Sequence, residues 1–187
     1  MRLILASASP RRAGILLSAG FSFEAYPTYI DESRQCGEEP VAFVGRLARE
    51  KAAAAAQQVN GGAIVLGGDT IVVADDLVMG KPRDAHEAAA MLRALSGRGH
   101  RVLTGIALLR LPDRKILTAV EETRVFFVPL TEGGINDYIA TEEPFGKAGA
   151  YAIQGNGRRF IARIEGDYWN VVGLPLSRFQ KMLEEMG

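Results

Sequence analysis

Two carboxylate-bearing stretches and a scatter of cations carry most of the chemical potential of this chain. Asp69 follows Gly67-Gly68 at the expected end of an apolar strand, and Asp31-Glu32-Ser33 makes an acidic loop. A carboxylate at a strand end, beside glycines that let a ligand approach the backbone, can hold a metal or activate water. Glu32 and Asp31 can complete an oxygen-ligand set for Mg²⁺ or Mn²⁺, which take carboxylates together with substrate phosphates. The same residues also suit blander roles: a tight turn in which Asp69 bonds its own backbone, and an acidic loop in solvent.

The cations point towards phosphate. In Ser7-Ala8-Ser9-Pro10-Arg11-Arg12, Ser9 is a good N-cap and Pro10 suits the first helical position, so a helix should begin here and run to about Ala19-Gly20. Arg11 and Arg12 then lie at the positive end of the helix dipole, where a cation is disfavoured by up to ~1 kcal/mol. An anion reverses that penalty, because backbone N–H groups, the Ser7 hydroxyl and two guanidinium groups would converge on it. The alternative is a plain strand-to-helix turn with solvated arginines. Lys51, Lys81 and Lys147 can each neutralise phosphate oxygens, although a lone lysine is usually solvated. The amide of Gln154 can pair with a base edge, while Gly155-Asn156-Gly157 beside it is also ordinary turn sequence.

Several familiar sites are excluded. Gly80-Lys81-Pro82 lacks the Ser or Thr and the upstream glycine of a P-loop. No Gly-x-Gly-x-x-Gly follows a strand, no Gly-x-Ser-x-Gly elbow occurs, and neither His86 nor His100 has the context of a triad. The two histidines are not at metal-ligand spacing, and Cys36 is alone, so neither zinc nor a disulfide framework is expected. What remains is two carboxylate loops with several cations and no obvious protein nucleophile, an inventory that fits metal-assisted attack of water on a polyphosphate.

Composition agrees. Basic and acidic residues balance at 22 each, which argues against a nucleic-acid footprint. No apolar run is long enough to span a bilayer, and Arg2 with a short apolar strand does not make a signal peptide. The expectation is a cytoplasmic protein that uses no membrane.

The elements that must position these residues read as α/β. Strands are expected at 3–6, 21–26, 63–66, 71–73, 77–79, 101–111, 116–128 and 160–164. Helices are expected from Ser9 to about Gly20, over 40–59, from Asp84 to Gly97, and over 131–140 and 175–186. The alanines at 52–56 favour a helix and a close-packing face. Residues 147–155 read as a glycine-punctuated strand and turn. Hairpins together with strand–helix crossovers predict a mixed sheet in one domain spanning 1–187, with room for two lobes around a cleft.

Taken together, these blocks carry a resemblance. Leu5-Ala-Ser-Ala-Ser-Pro-Arg-Arg12, Asp31-Glu32, Lys51-Ala52, Gly67-Gly-Asp-Thr70, Gly80-Lys-Pro82, Leu95-Ser-Gly97, Thr104-Gly105, Lys147-Ala-Gly-Ala-Tyr-Ala-Ile-Gln-Gly155 and Asn170-Val-Val-Gly-Leu-Pro175 span the chain in order. They are similar to the Maf family of nucleoside triphosphate pyrophosphatases, historically described as septum formation inhibitors. Two positions depart from the family pattern: Gly146 stands where many relatives have aspartate, and Gly68 where alanine is frequent.

The resemblance implies an elongated, mixed central sheet flanked by helices, as in inosine triphosphate pyrophosphatases. It also implies a cytoplasmic enzyme, commonly homodimeric, that cleaves a nucleoside triphosphate between the α- and β-phosphates. Asp69 falls on the proposed proton acceptor, and Arg11, Thr70 and Gln154 fall on positions linked to substrate choice. The Tyr151–Gly155 block resembles the branch that acts on dTTP and UTP. On this reading Ser7, Arg11, Arg12 and Lys51 hold the triphosphate, and Glu32 and Asp69 position Mg²⁺ or Mn²⁺. Lys81 neutralises the leaving group, and Gln154 reads the pyrimidine. The competing expectations are a non-catalytic nucleotide-binding regulator of septum formation and a pyrophosphatase acting on purine triphosphates such as ITP.

Overall fold

Apolar strands are interspersed with helices, and in the computed structural model, which describes residues 2–187, they assemble into one mixed sheet with helices packed on it. The strands are β1 (Arg2–Ala6), β2 (Glu24–Ala25), β3 (Ala63–Ala74), β4 (Leu77–Met79), β5 (Gly99–Leu111), β6 (Ile116–Phe127) and β7 (Ile161–Glu165). The helices are α1 (Pro10–Ser18), α2 (Pro40–Ala56), α3 (Ala85–Leu95), α4 (Glu132–Ile139), α5 (Tyr168–Val172) and α6 (Leu176–Met186). Strand order is β2-β1-β3-β5-β6-β7, with β4 paired on β3. β1 runs parallel to both β2 and β3, whereas β4 is antiparallel to β3 and β7 to β6.

The chain divides into two compact units. The first comprises the segment ending at Asp69 together with Thr104–Glu121 and Gly173–Gly187, and the second comprises Thr70–Leu103 and Glu122–Val172. In the first unit, Ile4, Ala6, Ala63, Val65, Ala107 and Leu109 of the strands pack on Ala48, Ala52, Ala55 and Ala56 of α2. Strand alternation turns Leu3 and Leu5 to the opposite side. Ile15 and Leu16 of α1 and Phe179 and Met182 of α6 are buried in the same unit.

Helix α2 lies unusually close to the strands, and two glycines permit it. A Cβ at Gly67 would stand 2.1 Å from the Ala48 carbonyl oxygen, and one at Gly105 would stand 2.4 Å from that of Val44. The alanine-rich face of α2 is the other half of this fit, since larger side chains would lift the helix away.

The second unit has its own core. Val72, Ala74, Val102, Val125 and Phe127 of the strands pack on Ala88, Leu92 and Leu95 of α3 and on Ile135 and Tyr138 of α4. The His100 ring stands edge-on to Phe127 and Tyr151 in this cluster, and its Nε2 lies 2.9 Å from the Tyr151 hydroxyl.

Four expectations need correction. The stretches 63–66 and 71–73 belong to one strand: β3 runs unbroken from Ala63 to Ala74, so Asp69 lies within a strand and not at its end. The glycines at 67 and 68 give room to α2 and to the Arg12 side chain. Residues 147–155 form no strand; Ala148–Ala150 is a short 3₁₀ turn, in which Gly149 has φ +69° and its missing Cβ leaves room for Val72. The strand expected over 21–26 shrinks to Glu24–Ala25, and α2 ends at Ala56 instead of 59.

Candidate active site

The first unit gathers Ser7, Arg12, Glu32, Lys51 and Asp69. Because Gly67 and Gly105 let α2 settle on the strands, the Lys51 side chain is carried over β3. Its ammonium lies 2.7 Å from Asp69 Oδ1 and 2.7 Å from Glu32 Oε1. Lys51 and Asp69 are buried, whereas the Glu32 side chain is half exposed. Two carboxylates therefore meet at one cation.

Glu32 reaches this point because its loop is tied down on α2. The Arg46 guanidinium donates to Glu38 Oε1 at 2.7 Å, to the Ser33 carbonyl at 3.0 Å and to Glu50. The hydrogen bonds from Arg46 hold the Glu38 carboxyl down at about 2. Asp31 does not join the cluster: it accepts from the Ser33 N–H at 2.9 Å and stabilises a local turn.

Ser9 caps α1 as expected, accepting from the Arg12 N–H. The Arg12 side chain turns back from the helix terminus and lies against Gly68. Its Nε donates to the Gly173 carbonyl at 2.8 Å, and its Nη1 donates to the Ser7 hydroxyl at 3.1 Å. Burial pushes the Arg12 guanidinium below its ordinary pKa; the charges of Asp69 and Glu32 act in the opposite sense and Arg11 in the same one. Arg11 follows Pro10 in the first turn of α1 and is half-buried.

The other expected residues belong to the second unit. Thr70 continues β3 and is half-buried. Lys81 is exposed just after β4, in a segment fixed by the Gly149 N–H, which donates to the Gly80 carbonyl at 3.1 Å. Gln154 is exposed on the loop that follows the buried Tyr151-Ala152-Ile153. Lys147 donates to the carbonyls of Glu143 and Phe145, so it closes a turn there.

The sequence reading attached no role to Thr104-Gly105 or to Asn170–Pro175. The structure supplies one for each: Gly105 clears the path of α2, and Gly173 offers the carbonyl that orients Arg12. The signal available was a glycine within each block.

This geometry can bind a polyanion and support proton transfer at a carboxylate. Comparison with known proteins identifies the family. The family model described as "Maf-like protein" matches residues 2–186. A dTTP/UTP pyrophosphatase of Geobacillus sp. (strain WCH70) is 50% identical over 186 residues, covering 100% of this chain and 98% of that protein. One of Pelotomaculum thermopropionicum is 48% identical over 185 residues, covering 99% and 96%. In fold, the Ham1 protein of Staphylococcus aureus superposes with a TM-score of 0.52 at 12% identity, with all of both chains covered. A match that takes in β1 through α6, including every residue of the cluster above, establishes that this chain belongs to the Maf-like family.

Proposed function

We propose that this chain hydrolyses pyrimidine nucleoside triphosphates, dTTP and UTP foremost, to the monophosphate and pyrophosphate. The observation that carries the reading is the convergence of Asp69 and Glu32 on Lys51 beside Arg12. Relatives about half identical over their whole length and named dTTP/UTP pyrophosphatases support the substrate class.

In the proposed reaction water attacks the α-phosphorus, the bond from that phosphorus to the bridging oxygen breaks, and pyrophosphate leaves. Asp69 accepts the proton of the attacking water. Ser7, Arg11 and Arg12 hold the triphosphate, and Lys51 keeps two carboxylates compatible with a polyanion brought against them. The roles of Lys81 in neutralising the leaving pyrophosphate, of Thr70 in substrate choice and of Gln154 in reading the base rest on sequence resemblance.

The donor set fits Mg²⁺ or Mn²⁺, because Glu32 and Asp69 offer hard oxygens that already converge on a single cation. Among the described residues no group of three or more His, Cys, Asp or Glu could hold a metal, so substrate phosphates would have to complete the shell. When bound, such an ion polarises phosphate oxygens and stabilises their charge. A homodimer is proposed on the resemblance, to be checked by light scattering.

The deciding experiment is pyrophosphate release from dTTP, UTP, CTP, ITP and 7-methyl-GTP, with Mg²⁺ or Mn²⁺ and with EDTA. Metal-dependent release from dTTP and UTP is expected. Release from a purine triphosphate instead overturns the reading of Gln154, and no release by the folded protein puts a non-catalytic nucleotide-binding regulator in its place.

A further inference from the structure

The loop that carries Gln154 is gripped by two side chains that have no part in the proposed chemistry. Tyr138, fully buried in α4, accepts a hydrogen bond from the Ala152 N–H at 3.1 Å and donates its hydroxyl proton to Glu143 Oε1 at 2.9 Å. The same carboxylate accepts from the Gly157 N–H at 3.0 Å, the Asn156 N–H at 2.9 Å and the Asn156 side-chain amide at 3.1 Å. Ala152 and Gly157 stand on either side of Gln154, so the backbone is pinned both before and after it.

The glycines flanking Asn156 are explained by this grip. A Cβ at Gly155, where φ is +108°, would lie 2.8 Å from Glu143 Oε2. One at Gly157 would lie 2.7 Å from the Tyr138 oxygen and 2.5 Å from the Ala152 carbonyl oxygen. The loop is wrapped so tightly on the Tyr138–Glu143 pair that only glycine fits at both positions. Burial acts against the charge of Glu143, yet the hydrogen bonds from Asn156, Gly157 and Tyr138 outweigh it and hold the carboxyl below its ordinary value. Lys147 closes the stem of the same turn through the Glu143 carbonyl.

We propose that Glu143, acting with Tyr138, is a positioning residue for base selection: it fixes the backbone on both sides of Gln154 and so sets where that amide presents its donor and acceptor. The proposal rests on the reading of Gln154 as the residue that contacts the base. A glutamine on an unheld loop would have to be ordered by each substrate in turn, which weakens binding and blurs discrimination.

The test measures kcat and KM for dTTP, UTP and ITP in the wild type, Tyr138→Phe, Glu143→Gln, Gln154→Ala and the double variant Glu143→Gln/Gln154→Ala. Tyr138→Phe removes the hydroxyl that links Ala152 to Glu143. Glu143→Gln puts an NH₂ group where a carboxylate oxygen accepts. Each is expected to raise KM for dTTP and UTP about 10-fold, to change kcat far less, and to narrow the preference over ITP. Glu143→Gln should add little once Gln154 is already alanine, because the two act through one contact.

Equal losses on all three triphosphates, or full additivity in the double variant, would make the pair a structural support and overturn the proposal. Normal selectivity in Tyr138→Phe and Glu143→Gln beside altered selectivity in Gln154→Ala overturns it while leaving the base-reading role intact. Unchanged selectivity in Gln154→Ala overturns both. If the first two variants fail to fold, Asn156→Ala removes only the 3.1 Å side-chain bond at an exposed position. It is expected to narrow the preference by about 2- to 3-fold, and no narrowing overturns the proposal.

Discussion

The Lys51 ammonium lies 2.7 Å from the Asp69 carboxylate, with the two side chains only 9% and 13% exposed. At that depth each charge faces an opposite one in place of water. The pair is therefore one unit of the site, and Glu32 joins it from the solvent side at the same 2.7 Å.

Asp69→Asn preserves the shape of the side chain and leaves Lys51 its contact with Glu32. The fold should survive, as judged by circular dichroism. Turnover of dTTP should fall at least ~10²-fold, the scale of losing a positioned base. Near-normal turnover would remove Asp69 from the chemistry.

Arg46 touches none of the reacting groups, yet it holds the loop that delivers Glu32. Arg46→Ala removes its bonds to Glu38, Glu50 and the Ser33 carbonyl together. We expect kcat/KM to fall roughly 10-fold or more through misplacement of Glu32. A variant with wild-type kinetics would show that the loop needs no such anchor.

Gly67→Ala tests the seating of α2. The new methyl group would have to displace backbone, since the nearest atom is the Ala48 carbonyl oxygen at 2.1 Å. A loss of about 3 kcal/mol or more in urea unfolding is expected, with activity falling as Lys51 is lifted from Asp69. Gly14→Ala, where a Cβ would meet nothing within 4 Å, serves as the mild control.

His100 supplies a pH dependence of stability. Burial pushes its imidazole down from 6.5 to about 4. Above pH 6.5 the ring is neutral in folded and unfolded chains alike, and the full stability is present. As pH falls from 6.5 towards 4, the unfolded chain takes up a proton that the folded chain refuses, which removes up to about 3 kcal/mol. His100→Phe should be less stable at pH 7.5, because the Tyr151 hydroxyl loses its partner, but should lose less on moving to pH 4.5. Equal losses in variant and wild type would assign the acid sensitivity to another group.

The cluster of the first unit was legible because its residue types are unusual for their places: arginines in the first turn of a helix, and a lysine on an alanine-rich one. What the one-dimensional pattern could not convey was distance. Gly67-Gly68 reads in sequence as room for a ligand beside Asp69, whereas in the fold that room is taken by α2 and Arg12, which approach from elsewhere in the chain. The apolar run at 151–153 likewise looks like a strand, because burial against a core and pairing in a sheet select similar side chains. Glu143 gave no sign, since a single glutamate after a helix is ordinary until the amides that surround it are known.

The bond from Arg12 to the Gly173 carbonyl has a consequence for the order in which the protein is made. The two partners stand 161 positions apart, and the whole of the second unit lies between them in sequence. A nascent chain holds Arg12 and the Ser7 hydroxyl within the same few residues, but the guanidinium meets its second partner only when the segment beginning at Gly173 arrives. Completion of the anion-binding corner is thus a late event in biosynthesis, and a chain cut short before that segment lacks it.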